Sequence, residues 1–140
     1  MFRRAALRAG IEPAPGTLGI LCDPGHPALA GFPTESHSNW QWWHLVKSSR
    51  AIVLDATPRP WRPIVQAIDN FARNHKLGLL FETRVGPGRL LVCTIDLPRL
   101  QHRPEARQLL ASLLAYAASD RFAPDTEIQP EILDARLPVM

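Results

Sequence analysis

Leu77-Gly-Leu-Leu-Phe-Glu-Thr-Arg-Val85, Gly86-Pro-Gly88 and Arg89-Leu-Leu-Val-Cys-Thr-Ile95 decide the fold. Two runs of similar length, rich in β-formers, flank a glycine-proline turn, which is the pattern of a β-hairpin. Both arms are nearly continuously apolar, so the hairpin is expected inside a covered sheet.

Working outward, Thr17-Leu-Gly-Ile-Leu-Cys22 is a short apolar run cut off by Asp23-Pro-Gly-His-Pro27, hence a strand followed by a turn. Residues 27–32 allow one helical turn. Ala51-Ile-Val-Leu54 reads as a second strand and Ile64 to Ile68 as a weaker third, interrupted by Gln66. Beyond the hairpin, Pro104 suits a first helical position and Glu105 the positive end of the dipole. Ala106, Leu109, Leu110, Leu113, Leu114 and Ala117 then recur at three- and four-residue spacing, giving a helix over 104–118 that packs on the sheet. A short helix over 130–136 and a frayed end at 137–140 complete the reading. Interleaved strands and helices with one hairpin predict an α/β layer with a mixed sheet.

At 140 residues the chain suits one domain. Apolar content of 46% and charged content of 21% are ordinary for a globular protein, whereas fourteen prolines imply many short connections. The net charge of +3 comes mostly from arginines scattered along the chain, with Lys47 and Lys76 the only lysines. No basic stripe with interleaved aromatics results, which argues against nucleic acid. The start, MFRRAALRAG, lacks the long apolar stretch of a signal peptide, and no window has the roughly 18 apolar residues of a spanning helix. A soluble chain is expected, cytoplasmic or exported with a parent protein.

Covalent chemistry finds few candidates. Cys22 and Cys93 lie in apolar runs without a CxxC motif, zinc-ligand spacing or a glycine-flanked nucleophile elbow, so free core thiols are expected; spacing leaves a disulfide between them open. A glycosidase needs two facing carboxyl groups; Glu35, Asp55, Asp69, Glu82 and Asp96 are present, but turn formation already accounts for Asp55 and Asp96. His26, His37, His44, His75 and His102 lack the zinc-protease spacing. We therefore expect no catalytic residue, no metal and no cofactor.

His37-Ser-Asn-Trp-Gln-Trp-Trp-His-Leu45 holds three of the four tryptophans. On a helix starting near Ser38, capped by Ser36 or Ser38, Trp42, Leu45 and Val46 share one face while Gln41, His44 and Lys47 fall largely on another. Trp42 is assigned to the core. His37, Asn39, Trp40, Trp43 and His44 are the candidate ligand-binding residues, because an indole ring stacks on the apolar face of a sugar while amides reach its hydroxyls. Adjacent tryptophans on a helix diverge, so at most one or two can serve one surface.

The run from Gly16 to Glu35 (GTLGILCDPGHPALAGFPTE), then Ser38-Asn-Trp-Gln-Trp-Trp43, Arg62-Pro-Ile-Val-Gln-Ala-Ile-Asp69, Lys76 to Glu82, Val85 to Cys93, Ile95-Asp-Leu97 and Arg103 to Leu114 resemble an accessory α/β region near the C-terminus of longer bacterial family 2 glycoside hydrolases, the β-galactosidase and β-glucuronidase-like enzymes. The resemblance covers roughly residues 16–135. It implies a class I glutamine-amidotransferase-like, flavodoxin-like layered sheet with flanking helices and without amidotransferase chemistry. Family catalysis uses two glutamates on a separate barrel, so the resemblance carries over no catalytic residue. It implies an N-terminal extension over 1–15, an accessory domain over 16–136 and a tail over 137–140. The chain reads as the back portion of a domain whose bare sheet surface favours self-association. The expected function is a non-catalytic accessory domain that contacts a glycoside hydrolase catalytic domain or another copy of itself and assists saccharide binding. The alternatives are a stand-alone carbohydrate-binding module and a small hydrolase.

Overall fold

The computed structural model describes Thr17 and residues 19–134. In chain order these form β1 (Gly19–Cys22), a 3-10 turn (Pro27–Leu29), α1 (Trp42–Lys47), β2 (Ile52–Val53), β3 (Val65–Ile68), β4 (Lys76–Val85), β5 (Gly88–Cys93), α2 (Pro104–Ala117) and α3 (Pro130–Asp134). The expected extension at 1–15, the last two residues of the helix expected over 130–136 and the tail at 137–140 lie outside the described residues.

β4 is the spine of one five-stranded sheet. Leu77 pairs with Ala67 on one side and Val53 on the other, and Leu80 pairs with Val65 and Cys93. β3 thus flanks the first half of β4, β2 and β5 follow one another along the opposite edge, and β1 pairs beyond β3. All four ladders are antiparallel; the one parallel feature among the described residues is a bridge between Arg84 and Glu127.

This overturns the expected flavodoxin-like layered α/β fold with its mixed sheet. Parallel strands need crossover connections of a dozen or more residues, usually helical. Here β3 and β4 are joined by a seven-position turn and β4 and β5 by a hairpin. The link from β2 to β3 carries Pro58, Pro60 and Pro63, which exclude a crossover helix. The three helices are also unequal, since α1 and α3 span six and five residues against fourteen for α2. Helical covering is consequently concentrated on one face.

The hairpin forms as its sequence predicts. Val85 pairs with Gly88, leaving Gly86 and Pro87 as the two turn residues. Gly86 has φ 55°, and proline at the second position fixes φ negative, which is the type II′ pattern that suits strand twist. β5 is less covered than expected, partly buried or exposed along its whole length, because among the described residues β4 is its one ladder partner.

A bulge sets the two faces of β4. Val65 pairs with Leu80 but Gln66 with Gly78, so Leu79 is an extra residue and alternation shifts by one. Leu77, Leu79 and Leu80 all join the main core with Ile20, Trp42, Leu45, Leu109 and Leu113. Phe81 turns to the second face, where it packs with Leu54 and Ile128, bordered by the partly exposed Trp61, Val85, Leu90 and Val92. Gly78 suits that face, because a Cβ there would lie 2.4 Å from Leu54 Cδ1 and would have to displace that buried side chain.

α2 buries Ala106, Leu109 and Leu113 of the expected stripe, whereas Leu110 is half-buried and Leu114 and Ala117 are exposed; the buried face is turned toward Ser112 and Tyr116 instead. Ser112 fastens it to the 3-10 turn, its hydroxyl donating to Ala28 C=O at 2.7 Å and accepting from Gly31 N–H at 2.9 Å. That turn is capped by His26, whose Nδ1 accepts from Ala28 N–H at 3.2 Å.

Candidate functional site

Trp42 is in the core at 1% exposure, stacked edge-on against Phe32 at 5.1 Å, with its indole N–H donating to Thr34 Oγ1 at 2.7 Å. Removing such a ring would cost roughly 3–5 kcal/mol. α1 begins four residues later than the expected start at Ser38, and its N-cap is Gln41 without a side-chain bond. Neither Ser36 nor Ser38 caps it. The reason is a turn at 39–42, where Trp42 N–H donates to Asn39 C=O and Trp43 N–H to Trp40 C=O, while Gln41 Nε2 donates to Pro33 C=O at 2.8 Å.

Of the five candidate residues, the fold brings Trp40 and Trp43 together, ring centroids 6.3 Å apart and planes tilted 52°. Trp40 is 87% exposed and Trp43 partly buried. Asn39 is exposed and serves the turn through its carbonyl. His37 lies against the outer edge of β1, bridging Leu21, with its imidazole 3.0 Å from Glu35. His44 stands one position beyond Trp43, about 100° further round the helix, and is partly buried.

A third aromatic shares this end of the sheet. Gly19 pairs with Ile68, the last residue of β3, and Ser38 Oγ lies 3.5 Å from where a Gly19 Cβ would be. The segment leading to Trp40 and the β3–β4 turn therefore emerge together. Phe71 is at the turn's tip, 94% exposed. The turn holding it is tightly built: Asp69 accepts from Asn70 N–H at 2.8 Å, from His75 N–H at 3.1 Å and from the Arg73 guanidinium, while Asn70 Oδ1 accepts from Ala72 and Arg73 N–H. Burial alone pushes the Asp69 carboxyl up, but Arg73 and these N–H groups outweigh it and hold the carboxyl below its usual range. Sequence reasoning missed Phe71; the available signal was an Asp-Asn turn pair beside an aromatic in an otherwise polar connection.

A second place is a notch in the sheet. Along one edge of β4, β3 ends at Val65 while Thr126 to Ile128 pair around Arg84, leaving Glu82 between them. Pro63 would be next in the ladder and has no N–H to offer. A cavity of about 180 Å³ fills this gap, with Asp23, His26, Trp61, Arg62, Glu82 and Asp125 in its wall. Tyr116 O–H donates to Glu82 Oε2 at 2.6 Å, and His26 Nε2 lies 3.5 Å from Glu82 Oε1. Because Nδ1 of His26 accepts from Ala28, the proton of the neutral ring is on Nε2 and faces Glu82. Burial and then the Glu82 carboxylate push the Tyr116 phenol well above its usual range, so it stays a donor near neutrality.

A larger hollow of about 300 Å³ lies between the 3-10 turn and α2, walled largely by Ala30, Gly31, Ala111 and Ala115. Of its polar side chains, Gln108, Ser112 and Ser119 bond to main-chain groups of the fold and Tyr116 to Glu82, while Arg121 is at its exposed rim.

The thiols are unlinked. Burial pushes Cys22 to about 12 and Cys93 to about 11, which keeps both protonated and poor nucleophiles at neutral pH. Among the described residues no group of three or more His, Cys, Asp or Glu side chains could hold a metal ion, and no helix is long and apolar enough to cross a membrane.

A family model described as a domain of unknown function (DUF8487) matches residues 1–138. No curated protein matches the chain.

Proposed function

The chain belongs to the DUF8487 family, and we propose that it is a non-catalytic contact module whose aromatic end docks against another protein domain. The observation that carries this reading is the exposure of two large rings, Trp40 at 87% and Phe71 at 94%, on segments that leave the sheet beside Gly19 and Ile68. Neither ring serves the core. A buried aromatic removes about 150–250 Å² from water, so covering two of them supplies the central anchors of an interface, where aromatics are enriched. The rigid Asp69–Arg73 turn limits the ordering entropy lost on docking.

The proposed partner is a second copy of the chain or a glycoside hydrolase catalytic domain; the resemblance to family 2 accessory regions adds no weight to the latter, since the layered fold it implies is not the one formed. The competing reading is a saccharide stacked on the tryptophans. The 52° tilt between Trp40 and Trp43 disfavours it, since one flat sugar face cannot lie on both rings. Light scattering across a concentration series tests the choice. Self-association weakened in Trp40→Ala and Phe71→Ser supports docking; a monomer whose tryptophan fluorescence is quenched by oligosaccharide would replace it with the sugar reading.

A further inference from the structure

We infer that the notch at Glu82 binds a small neutral polyol, a ligand presenting adjacent hydroxyl groups. This site is separate from the aromatic end and does not rest on the docking role.

The notch is a consequence of strand pairing. Thr94 N–H donates to Leu79 C=O, so along β4 residues 79, 81 and 83 direct their main-chain groups to β5. By the same alternation Glu82 directs its N–H and C=O to the opposite edge, where β3 has ended and the Thr126 segment has not begun. Glu82 also lines the cavity of about 180 Å³, so its outward main-chain N–H and C=O are directed to the edge at which that cavity lies.

The wall offers both hydrogen-bond senses. Asp125 and the remaining acceptor capacity of Asp23 and Glu82, which already take Gly25 N–H and Tyr116 O–H, supply acceptors; Arg62 supplies donors. Trp61, Pro63, Ile64 and Pro124 provide apolar surface between them. A polyol matches this combination because each hydroxyl both donates and accepts, and its C–H groups suit the apolar wall.

Other ligand classes fit less well. Three carboxylates oppose an anion. A cation would find the Trp61 ring already taken, with Lys76 Nζ 5.0 Å from its centroid and Arg62 beside it in the wall. The small volume, below the roughly 300–1,000 Å³ of drug-sized sites, limits the ligand to a single small ring or chain. A purely structural role accounts for the His26, Glu82 and Tyr116 contacts, which tie the 3-10 turn and α2 to β4. Asp23 is accounted for by its turn, where it accepts from Gly25 N–H at 3.1 Å, but Arg62 and Asp125 in the same wall are left without a structural role.

The experiment is an amide and indole NMR titration of the full chain with D-glucose and with myo-inositol, and with putrescine and inorganic phosphate as charged controls. We expect saturable shifts at Glu82, Thr126 and the Trp61 indole with at least one polyol. Asp125→Asn, an exposed change compatible with folding, should weaken that binding about tenfold, the loss of one hydrogen bond to a charged group. Trp40→Ala should leave it unchanged. The inference is overturned by no saturable shift with either polyol, by tighter saturation with putrescine or phosphate, by shifts centred on Trp40 and Trp43, or by equal polyol affinity in Asp125→Asn.

Discussion

Tyr116 on α2 and Glu82 on β4 are joined by a 2.6 Å hydrogen bond from phenol to carboxylate, which ties the long helix to the central strand beside the notch. The same ring stacks edge-on with His26 and Phe122, each at 5.4 Å.

Tyr116→Phe removes this donor and leaves the carboxylate part-buried without it. The expected cost is about 1–3 kcal/mol, read as a lower midpoint in urea denaturation. The wild-type phenol is held above its ordinary value, so its contribution is intact below the unfolded value of about 10 and is lost as pH rises through the folded value. Absorbance at alkaline pH should show tyrosinate forming together with unfolding.

Asp69 titrates in the opposite direction. Its carboxyl is lowered in the folded state, so the stabilisation is present above the unfolded value of about 3.9 and disappears as pH falls through the folded one. Asp69→Ala leaves the Arg73 guanidinium, whose side chain is 12% exposed, without its partner. Loss of about 3–5 kcal/mol is expected, with faster amide exchange at Asn70 and His75.

Cys22 and Cys93 should react slowly with a thiol reagent at neutral pH in the native protein and rapidly once denatured, because burial raises both. Fast native labelling of either would place it outside the position described.

Gly78→Ala should destabilise by about 1–3 kcal/mol through overpacking, since the new methyl would meet Leu54 Cδ1 at 2.4 Å. Leu54→Ala vacates that space, so the double variant should lose less than the sum of the singles.

What the sequence made legible follows from how local each signal is. The hairpin and α2 are encoded within their own residues, by a Gly-Pro turn and by an unbroken three-four spacing, and both form within a few residues of expectation. Trp42 was readable as core for the same reason, because Leu45 and Val46 share its helical face. Strand direction was not legible. Apolar runs such as those at 19–22 and 65–68 look alike in parallel and antiparallel ladders, and their antiparallel pairing depends on register between distant segments. The extra residue at Leu79, which sends Glu82 toward His26 and Tyr116, is marked locally only by Gly78 beside it, and a strand glycine signals a bulge without saying which residue is extra. The notch was invisible for that reason, since its wall is drawn from four separated stretches of chain. Phe71 was overlooked because the polar turn that exposes it lies between two apolar runs and belongs to neither pattern.

Hydroxyl-radical footprinting over a range of protein concentrations tests the docking role most directly, with the exposed Leu114 on α2 as internal reference. Oxidation of Trp40 and Phe71 should fall together as concentration rises while Leu114 is unaffected. Constant oxidation of both rings at every concentration, or protection of Leu114 instead, would contradict an aromatic docking end.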